Sequence, residues 1–404
     1  MGGAARKLLL GAALLRALAT GMAGVLLGIY LADRGLSPGQ VGAVAGAGLA
    51  GAAAGALVVT LRGARMAGRG ALLALAGLAA AGGALLALVE HPLALAAVAF
   101  LGMVNGMGRD RGPSAILEQA LLPATTTPAR RTTAFAWYTA FQDCGHSLGS
   151  LAAGLPALLV AATALSMTAS LRLCFGLYAL LLLLSGLCYL GLPARAAEAA
   201  SAAPPPPARL APESRRILTR ISLLFALDGL GGGLLLTTLL SYFFFERFGV
   251  GVAALSGLFF AARVANLLSN FGAAWLARRI GLVNTMVFTH IPASLLLVAV
   301  AFVPSFPLAA ALFLLREALV EMDVPTRQSY VMAMVRPEER TTASGVTNLV
   351  RLAMWALGPS LGGWAMQSVG LAAPLLAGAG MKIVYDLLLY VSFRRLKPPE
   401  EQAA

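Results

Sequence analysis

Five charged residues, Arg316, Glu317, Glu321, Asp323 and Arg327, stand inside residues 307–334, a stretch otherwise apolar enough to span a membrane. A charge near the bilayer centre costs on the order of 2.5–3.5 kcal/mol on insertion scales unless it faces protein or water. So many in one segment point to a polar pathway inside a helix bundle. Glu317 and Glu321 are four apart and share one helical face. Two acids on one face in a low dielectric cannot both ionise cheaply, which suits a group that loads and unloads a proton. The alternative is static pairing with Arg316 or with an arginine from another helix.

Other polar residues interrupt apolar segments in the same way. Arg109, Asp110 and Arg111 precede Gly112-Pro113, where the proline predicts a kink. Two arginine forks beside a broken helix could hold a carboxylate or a phosphate, or could pair with Asp143, Glu317 or Glu321. His146 lies one turn from Asp143, as a proton relay or as a packing histidine. Asp228 is the lone acid of its segment, just before Gly231-Gly232-Gly233, and reads as a coupling or cation-contacting group. Arg16, Glu118, Gln142, Arg263 and Asn266 complete the set of candidate substrate contacts. Lys382 and Asp386 are four apart and predict a local ion pair. Cys144, Cys174 and Cys188 lie in apolar runs without a CxxC or Cys/His cluster, so neither disulfide nor metal site is expected. No nucleophile–base arrangement and no nucleotide loop is present, so no enzyme and no cofactor is expected.

The elements that position these residues follow from composition. The chain of 404 residues is 59% hydrophobic and 12% charged, with mean hydropathy +0.82. Soluble domains carry roughly 25% charged residues, so this is a polytopic membrane protein. Twelve apolar segments are evident, at 8–32, 39–61, 70–89, 93–121, 133–163, 169–193, 216–245, 251–276, 282–303, 307–333, 341–369 and 371–393. Helices are predicted for all of them, because an open sheet leaves backbone groups unsatisfied in lipid. The first run continues to Leu31, long enough to be a span rather than a signal peptide.

The net charge of +13 sits largely in alternate loops: Arg6-Lys7, Arg62/Arg65/Arg69, Arg130-Arg131, Arg278-Arg279, Arg336/Arg340 and Arg394-Arg395. The positive-inside rule makes that side, and both termini, cytoplasmic, in the inner (plasma) membrane. With no soluble basic domain, nucleic acid is not an expected partner.

Residues 194–215 are Ala/Pro-rich, with Pro204–Pro207 in a row, and predict a solvated linker. The linker divides a six-helix bundle at 1–193 from another at 216–404. The halves repeat. Arg131-Thr132-Thr133-Ala134 matches Arg340-Thr341-Thr342-Ala343, and Gly149 and Gly358 each follow 18 residues after the arginine. Gly145/Gly149 and Gly358/Gly362 have the spacing that lets helices approach closely. A duplicated six-helix unit is the trace of a transporter with its site near the midplane.

With these marks the chain resembles the major facilitator superfamily over essentially its whole length. The loops at 61–69 and 272–281 resemble that family's loop signature, with Ala64 and Arg278 near the place of its usual acid. Gly358-Pro359-Ser360-Leu361-Gly362-Gly363 resembles its antiporter glycine motif, on helix 11 rather than helix 5. The resemblance implies an all-α fold of twelve transmembrane helices in two pseudo-symmetric bundles, with helices 1, 4, 7 and 10 lining a cavity. It implies gating loops at Arg65, Gly68, Arg131, Arg279, Gly281 and Arg340. The function expected is secondary active transport by alternating access, as proton-coupled export of a small charged or amphiphilic molecule. The alternatives are proton-coupled uptake of an organic anion and, in a different class, a non-transporting membrane sensor or scaffold. The partners expected are a small-molecule substrate, protons and the lipid bilayer, and the chain is expected to be a monomer.

Overall fold

The computed structural model describes residues 2–66, 68–127, 130–192, 212–322 and 339–393. No strand forms among them, and helix is present in each of the twelve segments. The helices are α1 (Gly2–Asp33), α2 (Pro38–Met66), α3 (Arg69–Leu88), α4 (Pro92–Leu101), α5 (Pro113–Leu121), α6 (Arg131–Ala152), α7 (Leu155–Ala162) and α8 (Met167–Leu190). They continue with α9 (Pro212–Leu234), α10 (Thr237–Phe248), α11 (Val252–Ile280), α12 (Leu282–Phe302), α13 (Phe306–Val320), α14 (Arg340–Ser368) and α15 (Ala373–Phe393). Nine helical stretches among the described residues are long and apolar enough to cross a membrane. Several are apolar on every side. On α8, Phe175, Tyr178 and Leu182 are buried while Leu173, Leu180, Leu183 and Leu187 are exposed, the pattern of a helix between bundle and lipid.

Three expected helices are not continuous. Segment 93–121 is interrupted between α4 and α5 by non-helical backbone at 102–112, where Met103 and Gly108 have φ of 51° and 69°. Glycines at 102, 106, 108 and 112 withdraw helix propensity there, and Pro113 opens α5. Segment 133–163 breaks at Ala153-Gly154, before Pro156 in the first turn of α7. Segment 216–245 breaks at Leu235-Leu236, just after the triple glycine.

Two compact units emerge: the described residues of 1–204 with Leu236–Phe260, and those of 205–235 with 261–404. In the first, α1 packs on α6, α8 and α10, α3 on α8, and α2 on α4. In the second, α9 packs on α14 and α15, and α12 on α13 and α15. The first helix of each repeat therefore lies against the fifth. Glycine makes both approaches close: a Cβ on Gly149 would collide with the Leu18 carbonyl, and one on Gly358 with the Gly233 backbone. One apolar core joins Leu9, Ala13, Val59, Leu72, Leu121, Tyr138 and Tyr189; another joins Leu218, Ile221, Phe225, Met286, Tyr385 and Leu389.

Candidate functional site: two buried charge networks

In the first unit, Arg16 projects from α1 and is 4% exposed. Its Nε and Nη2 donate to Asp110 Oδ2 at 3.0 and 2.8 Å. Its Nη1 and Nη2 donate to the two carboxylate oxygens of Glu118 at 2.5 and 2.8 Å. Glu118, on α5, is fully buried and also accepts from Tyr138 and Tyr189, each at 2.7 Å. Arg16 Nη1 further donates to the Tyr189 hydroxyl. Buried ions of this kind are tolerable only when such bonds replace their water.

Asp110 sits within the α4–α5 break, whose backbone would otherwise be unsatisfied at membrane depth. Its N–H donates to His146 Nε2 at 2.8 Å, which places the ring proton of His146 on Nδ1. Asn105 clasps the same turn, donating to the Arg109 carbonyl at 2.6 Å and accepting from Met107 N–H at 2.8 Å. Thr237 and Thr238 of α10 donate to the carbonyls of Met107 and Gly106, at 2.7 and 2.8 Å. A cavity of about 40 Å³ borders Arg16, Thr20, Asn105, Asp110, Ser114 and Tyr178, room for water but not for an organic solute.

In the second unit, Asp228 on α9 is 3% exposed and does not stand alone. Lys382 Nζ of α15 donates to its Oδ1 at 2.8 Å, and Arg351 of α14 lies 3.6 Å from Oδ2. The Arg351 guanidinium rests on the Trp355 ring at 4.7 Å. The local Lys382–Asp386 pair expected from spacing does not form. Asp386 instead meets His290 Nδ1 of α12 at 3.0–3.1 Å, and Lys382 reaches His290 Nε2 at 3.4 Å. Partners on α9 and α12 outcompete the neighbour one turn away. A separate pair lies on α13: Arg316 contacts the Glu317 carboxylate, which also accepts from Asn266 of α11 at 2.7 Å.

The remaining sequence candidates are placed as follows. Arg109 and Arg111 flank Asp110 in the break, half-buried and exposed respectively. Gln142 is buried on α6, its amide Nε2 without a hydrogen-bond partner, and Asp143 beside it is half-buried. Arg263, on α11, and Glu321, just beyond α13, are half-buried. Gly68 precedes α3, and Gly281, at φ 85°, joins α11 to α12. Arg131 opens α6 and is exposed, and Arg279 lies over Trp275 at 4.6 Å. Asp323, Arg327 and the side chains of Arg65 and Arg340 lie outside the described residues. No group of three metal-ligating side chains occurs among the described residues. Sequence reasoning missed Asn105, Tyr138, Tyr189, His290 and Arg351. Asn105, His290 and Arg351, polar residues in apolar runs, left a trace that could have been followed.

Two helical units with ion networks buried among their helices define a multi-pass membrane protein of the transporter type. The chain belongs to the Major Facilitator Superfamily, whose sequence profile matches residues 9–359. Its fold is that of solved carriers. The nucleoside transporter NupG superposes with a TM-score of 0.76 at 15% identity, over 96% of this chain and 99% of that one. A bacterial homolog of the human lysosomal transporter Spinster gives 0.72 at 15%, over 96% of each chain. A POT peptide transporter gives 0.76 at 14%, over 96% and 94%. An uncharacterized membrane protein of Saccharomyces cerevisiae is 25% identical over 186 residues, 46% of this chain. The match spans 42% of that protein's length.

Proposed function

We propose that this chain exports a small charged or amphiphilic compound in exchange for protons, by alternating access of its two halves. The observation that carries this reading is Asp228, a carboxylate 3% exposed and shared between Lys382 and Arg351. Ions so buried cost several kcal/mol to desolvate, roughly, and a static scaffold gains nothing that well-packed apolar side chains would not supply. A carboxylate shared with a lysine offers a proton or a cationic solute something to compete for. The Glu317–Arg316–Asn266 group is a second acid of that kind, and Glu321 one turn on stays in the proposal. Arg16, one of three arginines, with Arg109 and Arg111, on which an anion would dock, already holds two carboxylates, which favours export over anion uptake. We place the chain in the inner (plasma) membrane as a monomer with cytoplasmic termini. The linker at 194–215 joins the two halves, and the loop residues Arg65, Gly68, Arg131, Arg279, Gly281 and Arg340 belong to its gating machinery.

The test is proton movement in reconstituted vesicles with an acidic lumen. Metal cations, organic cations, carboxylates, phosphate esters and amino acids are added outside in turn. Exchange makes the lumen more alkaline when the right class is added, whereas symport makes it more acid, so the sign separates the two readings. Glu317→Gln and Glu321→Gln are compared with wild type. Loss in either variant assigns coupling to α13 and its flank; no pH response to any class overturns the proton-coupled reading.

A further inference from the structure

His290 is 1% exposed on α12 and was not among the residues singled out by sequence. Its ring has a partner on each nitrogen. Nδ1 lies 3.0 Å from Asp386 Oδ2, and Nε2 lies 3.4 Å from Lys382 Nζ. Lysine ammonium has donors only, so Nε2 is the acceptor and Nδ1–H donates to Asp386. The ring is therefore neutral. The Tyr385 ring meets it edge-on at 6.2 Å. Helix α13 also packs on α12, but its charged pair, Arg316 and Glu317, is engaged with each other and with Asn266. Behind Lys382 stands Asp228, and behind Asp228 stands Arg351.

We propose that His290 is a proton-binding site, and that Lys382 is the group a bound proton displaces. A proton taken from solvent forms a bond to the Nε2 lone pair. No bond of the ring breaks, and Nδ1–H stays on Asp386. Nε2 then carries a hydrogen that faces another donor, with two positive charges side by side. Lys382 must leave Nε2 and is left with Asp228 as its partner. Protonation on α12 is thereby transmitted to the acid on α9 through a single side chain. The use of this site in transport rests on the proton-coupled reading above; the site itself does not.

The experiment exploits the presence of only three histidines, His91, His146 and His290. The full chain in lipid nanodiscs, with ¹⁵N-labelled histidine rings, is followed by NMR from pH 9 to pH 5. His91→Gln and His146→Gln identify the exposed ring and the other buried ring, so the remaining resonances are those of His290. The expected result is a His290 Nε2 that is unprotonated at pH 9 and protonated at pH 5, with Nδ1–H retained throughout. In Lys382→Met the midpoint of the same transition moves from its wild-type position, because the cation facing Nε2 is gone. Titration of proton uptake over the same interval should count about one proton fewer per chain in His290→Gln than in wild type. A His290 Nε2 protonated at both ends, or at neither, overturns the proposal, and the wild-type spectrum decides this even if His290→Gln does not fold. An unmoved transition in Lys382→Met removes Lys382 from it. If His290 titrates while vesicles show no coupled proton movement, the site stands and the coupling reading falls.

Discussion

Arg16 and Asp228 occupy corresponding places in the two repeats and carry opposite charges. Arg16 lies 17 residues before Asp33-Arg34 at the end of the first helix, and Asp228 lies 18 before Glu246-Arg247 at the end of the seventh segment. Around Arg16 stand two carboxylates, Asp110 and Glu118; around Asp228 stand two cations, Lys382 and Arg351. Each repeat thus buries a charged triad on its first helix, with the sign reversed. The first triad keeps one negative charge in excess and the second one positive.

Removing one member of a buried triad should cost more than removing a matched pair. Asp228→Asn removes the buried carboxylate that Lys382 and Arg351 share and is expected to lower stability by about 3–5 kcal/mol. Asp228→Asn/Lys382→Met should lose less than the two single variants combined, by at least about 1 kcal/mol. Denaturant unfolding of the detergent-solubilised chain measures both; strict additivity would mean that the 2.8 Å contact carries no coupling.

Glu118 is held by four donors, and its hydroxyl partners can be deleted without disturbing the core. Tyr138→Phe and Tyr189→Phe should each cost about 1.5–3 kcal/mol, as bonds to a buried charge do. Glu118→Gln should cost more than either. The same unfolding assay reads all three, and a neutral Tyr138→Phe would remove that hydroxyl from the network.

The close approach of α1 and α6 depends on the absence of a Cβ. Gly149→Ala drives a methyl into the Leu18 carbonyl and should destabilise by about 1–3 kcal/mol. Gly77→Ala meets nothing within 4 Å and should be neutral, or stabilising by up to about 1 kcal/mol. Equal melting temperatures for the two variants would contradict the packing.

Asn105 clasps the turn at 105–109 within the α4–α5 break. Asn105→Ala should raise amide hydrogen exchange across 102–112, and leave α2 and α3 unchanged. Mass spectrometry of the corresponding peptides reads this directly. Protection equal to wild type would show that His146 and the α10 threonines suffice.

Much of the fold could be read from hydropathy and from the repeat, because lipid forces helices and duplication forces symmetry. The breaks were only partly legible. Gly112-Pro113 announced the start of α5, yet the irregular stretch reaches back to Gly102. Nothing local reveals that Asn105, His146, Thr237 and Thr238 will satisfy its backbone. Arg16 and Glu118 were recognisable as buried charges, but not as partners 102 residues apart. Lys382 and Asp386 show the limit of a spacing rule. It states that two side chains on one helix can meet, and it is silent on better partners across the bundle. His290 is a single polar residue in an apolar run, a pattern without a period.

The bridge from Arg16 to Asp110 and Glu118 also bears on how the chain is built. Segment 93–121 holds Arg109, Asp110, Arg111 and Glu118, and its first helix, α4, has only ten residues. A translocon judging that segment by itself meets a poor candidate for release into lipid. Synthesis runs from the N-terminus, so the guanidinium of α1 is already in the bilayer when the two acids leave the ribosome. The bonds to Arg16 supply those acids with the partner that lipid cannot.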